Sequence, residues 1–255
     1  MKTSQDNNIK GLFSNYFFKL DNDVQRSYEW NESNVIRFIN DIIEKDEHFI
    51  GILLTANDDS GYKIIFDGQQ RFTTSVLCAC AVKNILEERG DKVSGYYAQN
   101  QNLLLYAIDE NDELSYKLTL RDEDNGVLIK LIDNKQFETN EKKTIVYKNY
   151  IKILNELNRE TTDTLKEFYK HLLNAKFTEL ICEDNEEGRE QFYYLNSGQS
   201  ITETRRLIAL IVTHCEGKND LESFANTLSQ KITEDDANSL FSLFTCKHYG
   251  VPYTE

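Results

Sequence analysis

"FIGILLTANDDSGYKIIFDGQQRFTT" (residues 49–74) carries two strands, a turn and the start of a helix in one unbroken stretch. Two apolar runs, 49–56 and 62–66, flank the polar Asn57-Asp58-Asp59-Ser60-Gly61, a β-hairpin pattern with a five-residue loop. The second run stops at Asp67-Gly68, and helical spacing then predicts a helix from Gln69 or Gln70 to about Arg89, with Gly90 at its left-handed C-terminal position. A strand that turns directly into a helix leaves the first helical N–H groups without intrahelical acceptors.

Around this centre, Asn31 or Ser33 caps a helix whose Val35, Ile36, Phe38, Ile39, Ile42 and Ile43 recur at helical spacing; the segment ahead of it, from Phe17, reads as a loop. Residues 91–113 are irregular. "YKLTLR" (116–121) alternates like a strand, and "DEDNGVLIKLI" starts a helix behind it. Helices are expected at about 141–158 and 163–174, a strand at 176–184 and a helix at 186–195. Three further helical patterns follow, the first (to Cys215) opened by a Ser200/Glu203 capping box, the others at 219–230 and 234–246. Strands mostly early and helices mostly late predict an α+β protein with a helical C-terminal lobe.

Composition narrows the function. A net charge of −14 and a pI near 4.8 oppose broad binding to phosphate polymers, and no Lys/Arg run is present. A small pocket with one or two arginines escapes that argument, because distant charges are screened beyond about 10 Å. No apolar run approaches the roughly 20 residues of a membrane span, and "MKTSQDNNIKGLF" lacks a secretory h-region, so a cytoplasmic protein is expected. Five scattered cysteines with no C-x-x-C fit that compartment, and four histidines (48, 171, 214 and 248) show no zinc spacing.

Three polar islands resist a purely structural reading: "QRSYEW" (25–30), "DGQQRFTT" (67–74) and "LNSGQS" (195–200). At the second, helix-start amides and the helix dipole make an anion site, and Gly68 lets a phosphate approach the backbone. Arg71 adds a two-pronged donor, Gln69 and Gln70 can donate to a ligand or orient water, and the hydroxyls of Thr73 and Thr74 are available. Asp67 suits Mg²⁺, a ribose hydroxyl or an attacking water. The plain alternative is that Asp67 is an N-cap, Gly68 a turn and Arg71 a surface ion-pair partner. In the first island Tyr28 and Trp30 are expected to cover the core edge, leaving Gln25 and Arg26 to reach a pocket. In the third, Gly198 and Ser200 fit helix caps, and Asn196 and Ser197 stay open.

In this order, "DVQRSYEWNESNVIRFINDI", "FDGQQRFTT", "KLTLRDEDNGVLIKLI" and "FYYLNSGQSIT" resemble the GmrS-type domain, the N-terminal half of GmrSD modification-dependent (type IV) restriction enzymes and related phage-defence proteins. The resemblance covers roughly residues 12 to 215. It implies a ParB/sulfiredoxin-like α+β core with a small mixed sheet and a nucleotide site at the D-G-Q-Q-R turn. It divides the chain into a core at 12–115, the rest of the GmrS-type domain at 116–215, and a helical tail at 216–255. Carried over to this chain, it assigns Asp67, Gly68, Gln69, Gln70 and Arg71 to the nucleotide pocket; there Asp67, Gln69, Gln70 and Arg71 are the expected catalytic residues, with Asp67, on carboxylate chemistry, as the Mg²⁺ ligand. Gln25, Arg26, Gly68, Arg71, Thr73, Thr74 and Asn196 would line the nucleotide pocket.

The chain departs from the family pattern where Asp23-Val24 replaces a proline, where Ile201 follows N-x-G, and where Arg205 and Arg206 occupy a region that is often acidic. No nuclease constellation can be read around His248, so direct DNA cleavage is not expected. The leading expectation is a module that binds and hydrolyses ATP or GTP, with Mg²⁺, and controls a nuclease subunit, touching DNA only indirectly and no membrane. The alternatives are a sensor of nucleotide or modified DNA without chemistry, or an interaction protein.

Overall fold

The computed structural model describes residues 2–21, 27–59, 61–90, 94–108 and 113–195. Its elements run β1 (Lys2–Asn8), α1 (Ile9–Asn15), β2 (Phe17–Leu20), α2 (Glu32–Glu44), β3 (Phe49–Asn57), β4 (Tyr62–Asp67), α3 (Gln69–Glu88), α4 (Gly95–Asn100), β5 (Tyr106–Ile108), β6 (Leu114–Tyr116) and β7 (Leu118–Thr119). There follow α5 (Asp122–Ile132), a 3₁₀ turn (Glu141–Lys143), α6 (Ile145–Leu157), α7 (Thr162–Asn174), β8 (Lys176–Cys182) and α8 (Asn185–Leu195). The architecture is α+β.

The expected hairpin, β3 with β4, lies at the centre of a mixed sheet ordered β1-β8-β3-β4-β2-β7. β2 runs parallel to both β4 and β7, while β8 runs parallel to β3 and antiparallel to β1. The sheet thus takes strands from both sides of residue 115. β5 and β6 form a separate two-stranded ladder.

Two expectations change. Phe17–Leu20, read as loop, is a strand whose Phe18 and Leu20 point into the core. Four residues leading into a polar segment show too little alternation for periodicity to detect. Residues 116–121 are not one strand: Tyr116 ends β6, and Leu118–Thr119 pair with β2 instead. The switch occurs at Lys117, whose N–H donates to the Leu105 carbonyl and whose own carbonyl accepts from Phe18. β1 and α1 carried no reading from sequence. The helical patterns after residue 195 lie outside the described residues.

The sheet is covered on both faces. Leu53, Ile65, Phe18 and Phe177 belong to the main core beneath α3, and Phe72 of α3 packs among Phe13, Phe18 and Phe177. Residues from Phe72 to Val82 of α3 are buried without interruption, so this helix is enclosed on every side and runs through the core. On the opposite face Leu54, Ala56, Ile64, Phe66 and Cys182 meet Phe192 of α8. Gly188 lets α8 approach, since a methyl there would overlap the Phe66 ring.

One buried ion pair spans the sheet. Lys63 of β4 meets Glu179 of β8, each under 4% exposed, and Thr55 of the intervening β3 donates to the same carboxylate at 2.8 Å. The Lys63 ammonium also lies 4.5 Å from the centroid of the Tyr16 ring. Removing one partner strands a buried charge, whereas replacing both need not. Lys63→Ala is therefore expected to cost about 3–5 kcal/mol in urea unfolding, and the pair Lys63→Met with Glu179→Leu to recover most of that loss.

A pH dependence follows from the thiols. Burial pushes Cys80 up to about 12, Cys182 to about 11, and Cys78 further in the same direction. Unfolded thiols titrate near ~8.5. Between these values the folded chain holds more protons than the unfolded one, so the stabilisation is complete below about pH 8.5 and is lost as pH rises toward the folded values. The urea midpoint should fall above that pH, and the double change Cys78→Ala with Cys80→Ala should flatten the decline.

Candidate functional site

The turn after β4 is shaped by Gly68. Its φ of +96° is left-handed, and a methyl would stand 2.9 Å from Leu53 Cδ1 and 3.2 Å from the Ile52 carbonyl oxygen. What passes close to this glycine is strand β3, not open space for a phosphate. Gly68 is itself the N-cap of α3 and supplies no side-chain cap, so Asp67 does not fill that role. Asp67 closes β4 opposite Leu54, just past an irregularity in the ladder, and its half-buried carboxylate forms no ion pair among the described residues.

Gln70 faces the other way. Its Oε1 accepts from the N–H groups of Glu29 (2.9 Å) and Trp30 (3.0 Å), and its Nε2 donates to the Ser27 carbonyl at 3.2 Å. Other helices complete the grip on this segment. Asp124 of α5 accepts from the Tyr28 N–H at 3.3 Å, and Asn149 of α6 donates to the Trp30 carbonyl at 2.6 Å. Thr74 gives its proton to the Gln70 carbonyl, so the Tyr28 hydroxyl donates to Thr74 Oγ1 at 2.7 Å. Burial pushes the Tyr28 phenol well above its ordinary value. Tyr28 is buried and Trp30 half-buried, covering the core edge as expected.

Arg71 caps a strand. β4 pairs with β3 only from Leu54 onward, and beyond that point Arg71 Nη1 donates to the carbonyls of Ile50 (2.9 Å) and Ile52 (3.2 Å). Gly51, with φ +108°, makes the room, because a methyl there would collide with the guanidinium. Nη1 is the nitrogen so engaged; Nε and Nη2 make no hydrogen bond or ion pair among the described residues.

Two polar groups on α3 have no such bonds. Gln69 is 3% exposed with a buried, unpartnered Oε1, and Thr73 is fully buried with an unpartnered Oγ1. They are four residues apart, hence on one face of the helix. A buried polar atom without a partner costs about 1–3 kcal/mol, and such atoms in folded proteins call for an explanation by water, ion or function.

At the same end of the sheet the Asp21 N–H donates to the Ile65 carbonyl, and its carboxylate accepts from Arg189 Nε and Nη2 of α8, both at 3.2 Å. Neither Asp21 nor Arg189 carried a sequence signal, since an isolated Asp and an isolated Arg far apart in the chain show no spacing. Gln25, Arg26 and Asn196 lie outside the described residues. Arg71 also borders a cavity of about 320 Å³ between α2 and the first residues of β3. Its residues Asn34, Arg37 and Asp41 read in sequence only as the solvated stripe of α2.

The donors an anion could take here are the uncapped amides of Gln69, Gln70 and Arg71 and the two further Arg71 nitrogens, while the Asp67 carboxylate beside them opposes an anion that arrives without a cation. A sequence model of the family described as GmrSD restriction endonuclease, N-terminal domain, matches residues 9–242. No curated protein matches the chain.

Gln70→Ala removes three bonds from the 27–30 segment. It should lower stability by about 1–3 kcal/mol and speed proteolysis near residue 27, as measured by urea unfolding and limited digestion.

Proposed function

The chain belongs to the family of GmrSD restriction endonuclease N-terminal domains, and we propose that it is a nucleotide-binding, NTP-hydrolysing regulatory module of a DNA-targeting defence system. The observation that carries this reading is the pair of unpartnered polar atoms, Gln69 Oε1 and Thr73 Oγ1, buried in the first turns of a helix whose leading amides are uncapped. A stability cost kept beside an electropositive helix end is typical of a functional site.

In this reading the amides of Gln69, Gln70 and Arg71 hold phosphate oxygens, and the free edge of the Arg71 guanidinium holds another. On the same reading Gln69 orients the attacking water, and Thr73, one turn below on the same face, offers a second polar atom to it. Asp67 would hold Mg²⁺, which binds with one or two carboxylates plus phosphate oxygens and would supply charge neutralisation on them. Donors aimed at developing charge are worth about 100-fold or more in rate each.

Gln70 shapes the site without touching substrate, since both ends of its carboxamide are occupied by backbone. The acidic net charge disfavours DNA binding by this chain itself, which is in keeping with a separate nuclease subunit, controlled by this module, that touches and cuts the DNA. No helix among the described residues is long and apolar enough to cross a membrane.

The use of Gln70 and of Arg71 Nη1 in structural bonds favours a second reading, a sensor that binds nucleotide without hydrolysing it. Turnover of ATP and GTP with Mg²⁺ separates the two. Gln69→Leu should keep or raise the melting temperature, because it removes an unsatisfied buried group, while lowering turnover about 100-fold. Binding without turnover in the native chain would select the sensor; no binding of either nucleotide by folded protein would end both readings.

A further inference from the structure

We infer that the cavity between α2 and the start of β3 receives the nucleobase of the bound nucleotide, an inference that rests on the nucleotide reading above. The cavity, about 320 Å³, is within the size range of small-ligand pockets. Its walls are of two kinds. Trp30 and Phe49 are aromatic, and Asn34, Arg37, Asp41 and His48 are polar.

The aromatic wall is built for stacking. Trp30 is held at its backbone N–H by Gln70 and at its carbonyl by Asn149, and its ring meets Phe38 edge-on at 5.8 Å. Phe49 at the other side is 56% exposed, a large apolar ring left in water at the rim of a cavity. Stacking between such rings is available to any base, because every base has a π-face.

The polar wall is loosely paired. Asp41 lies 3.8 Å from Arg37 and 3.8 Å from His48, separations beyond good hydrogen bonds, so all three side chains can turn toward an incoming ligand. Asn34 offers an amide able to donate and accept. A purely apolar ligand would leave these groups unbonded, and a simple anion would gain nothing from Trp30 and Phe49. A nucleobase satisfies both walls.

Arg71 sets the orientation. Its side chain lines the cavity while its own backbone N–H is one of the uncapped amides of α3, so base and phosphates lie on the two sides of one residue.

Trp30 is the single tryptophan of the chain, so its emission reports on this cavity directly. The experiment titrates native protein and Phe49→Ala with ATP, GTP and inorganic tripolyphosphate, following Trp30 fluorescence and calorimetric affinity. The expected result is that nucleotides quench Trp30 and tripolyphosphate does not. Phe49→Ala should weaken nucleotides at least tenfold while leaving tripolyphosphate unchanged; Phe49 is largely exposed, so the variant should keep its fold, which circular dichroism checks. Nucleotide binding with unchanged Trp30 emission and full affinity in Phe49→Ala would overturn the base site while leaving the nucleotide reading intact. Failure of all three ligands to bind would overturn that reading and this inference with it.

Discussion

The carboxamide of Gln70 stands where a strand or helix would otherwise be needed. Residues 27–30 have no regular secondary structure, yet their backbone groups must find partners or remain in water. One side chain on α3 satisfies two donors and one acceptor of that segment, and Asp124 and Asn149 take two more groups. Tyr28 is thereby set under Thr74, and Trp30 against Phe38. Arg71 does the same for β3 where β4 has left the sheet. The first turn of α3 is therefore the joint between the sheet and the 27–30 segment, which α5 and α6 also hold.

The D-G-Q-Q-R motif divides its labour. Gly68 is set by the closeness of β3, Gln70 by the loop, and one nitrogen of Arg71 by the strand carbonyls. Asp67, Gln69, Thr73 and the rest of the guanidinium are not used this way. Structural members hold the helix start in place, and the members left over are the ones with capacity to meet a ligand. At this end of the sheet Arg189 is neutralised by Asp21, which leaves Arg71, among the described residues, as the cation beside the uncapped amides, while the chain as a whole is strongly acidic. A local charge outweighs the distant negative field, which is screened over about 10 Å.

Much of the fold could be read in advance where local signals were strong. The hairpin followed from two apolar runs around a polar turn. α3 followed from its long apolar stretch between Gly68 and Gly90, and α2 from apolar residues at helical spacing behind Asn31 or Ser33, of which Asn31 is the cap, its side chain accepting from the Asn34 N–H at 3.0 Å. β2 and the split at Lys117 were hidden, because a strand of two to four residues has too few alternations to register. The cavity was hidden for another reason: Asn34, Arg37 and Asp41 are an ordinary polar stripe until β3 brings His48 and Phe49 opposite them.

Taken alone, the sequence determined the hairpin-to-helix core, the helical stretches and the turn at which polar residues accumulate, since these depend on neighbours within a few positions. Only the tertiary structure decided which of those polar groups are consumed by the backbone and which are left over. That outcome depends on carbonyls and amides from segments about 20 to 120 positions away, such as Ile50, Trp30 and Asn149. Hydrogen-bond supply and demand across a core is settled by packing, and no local pattern encodes it.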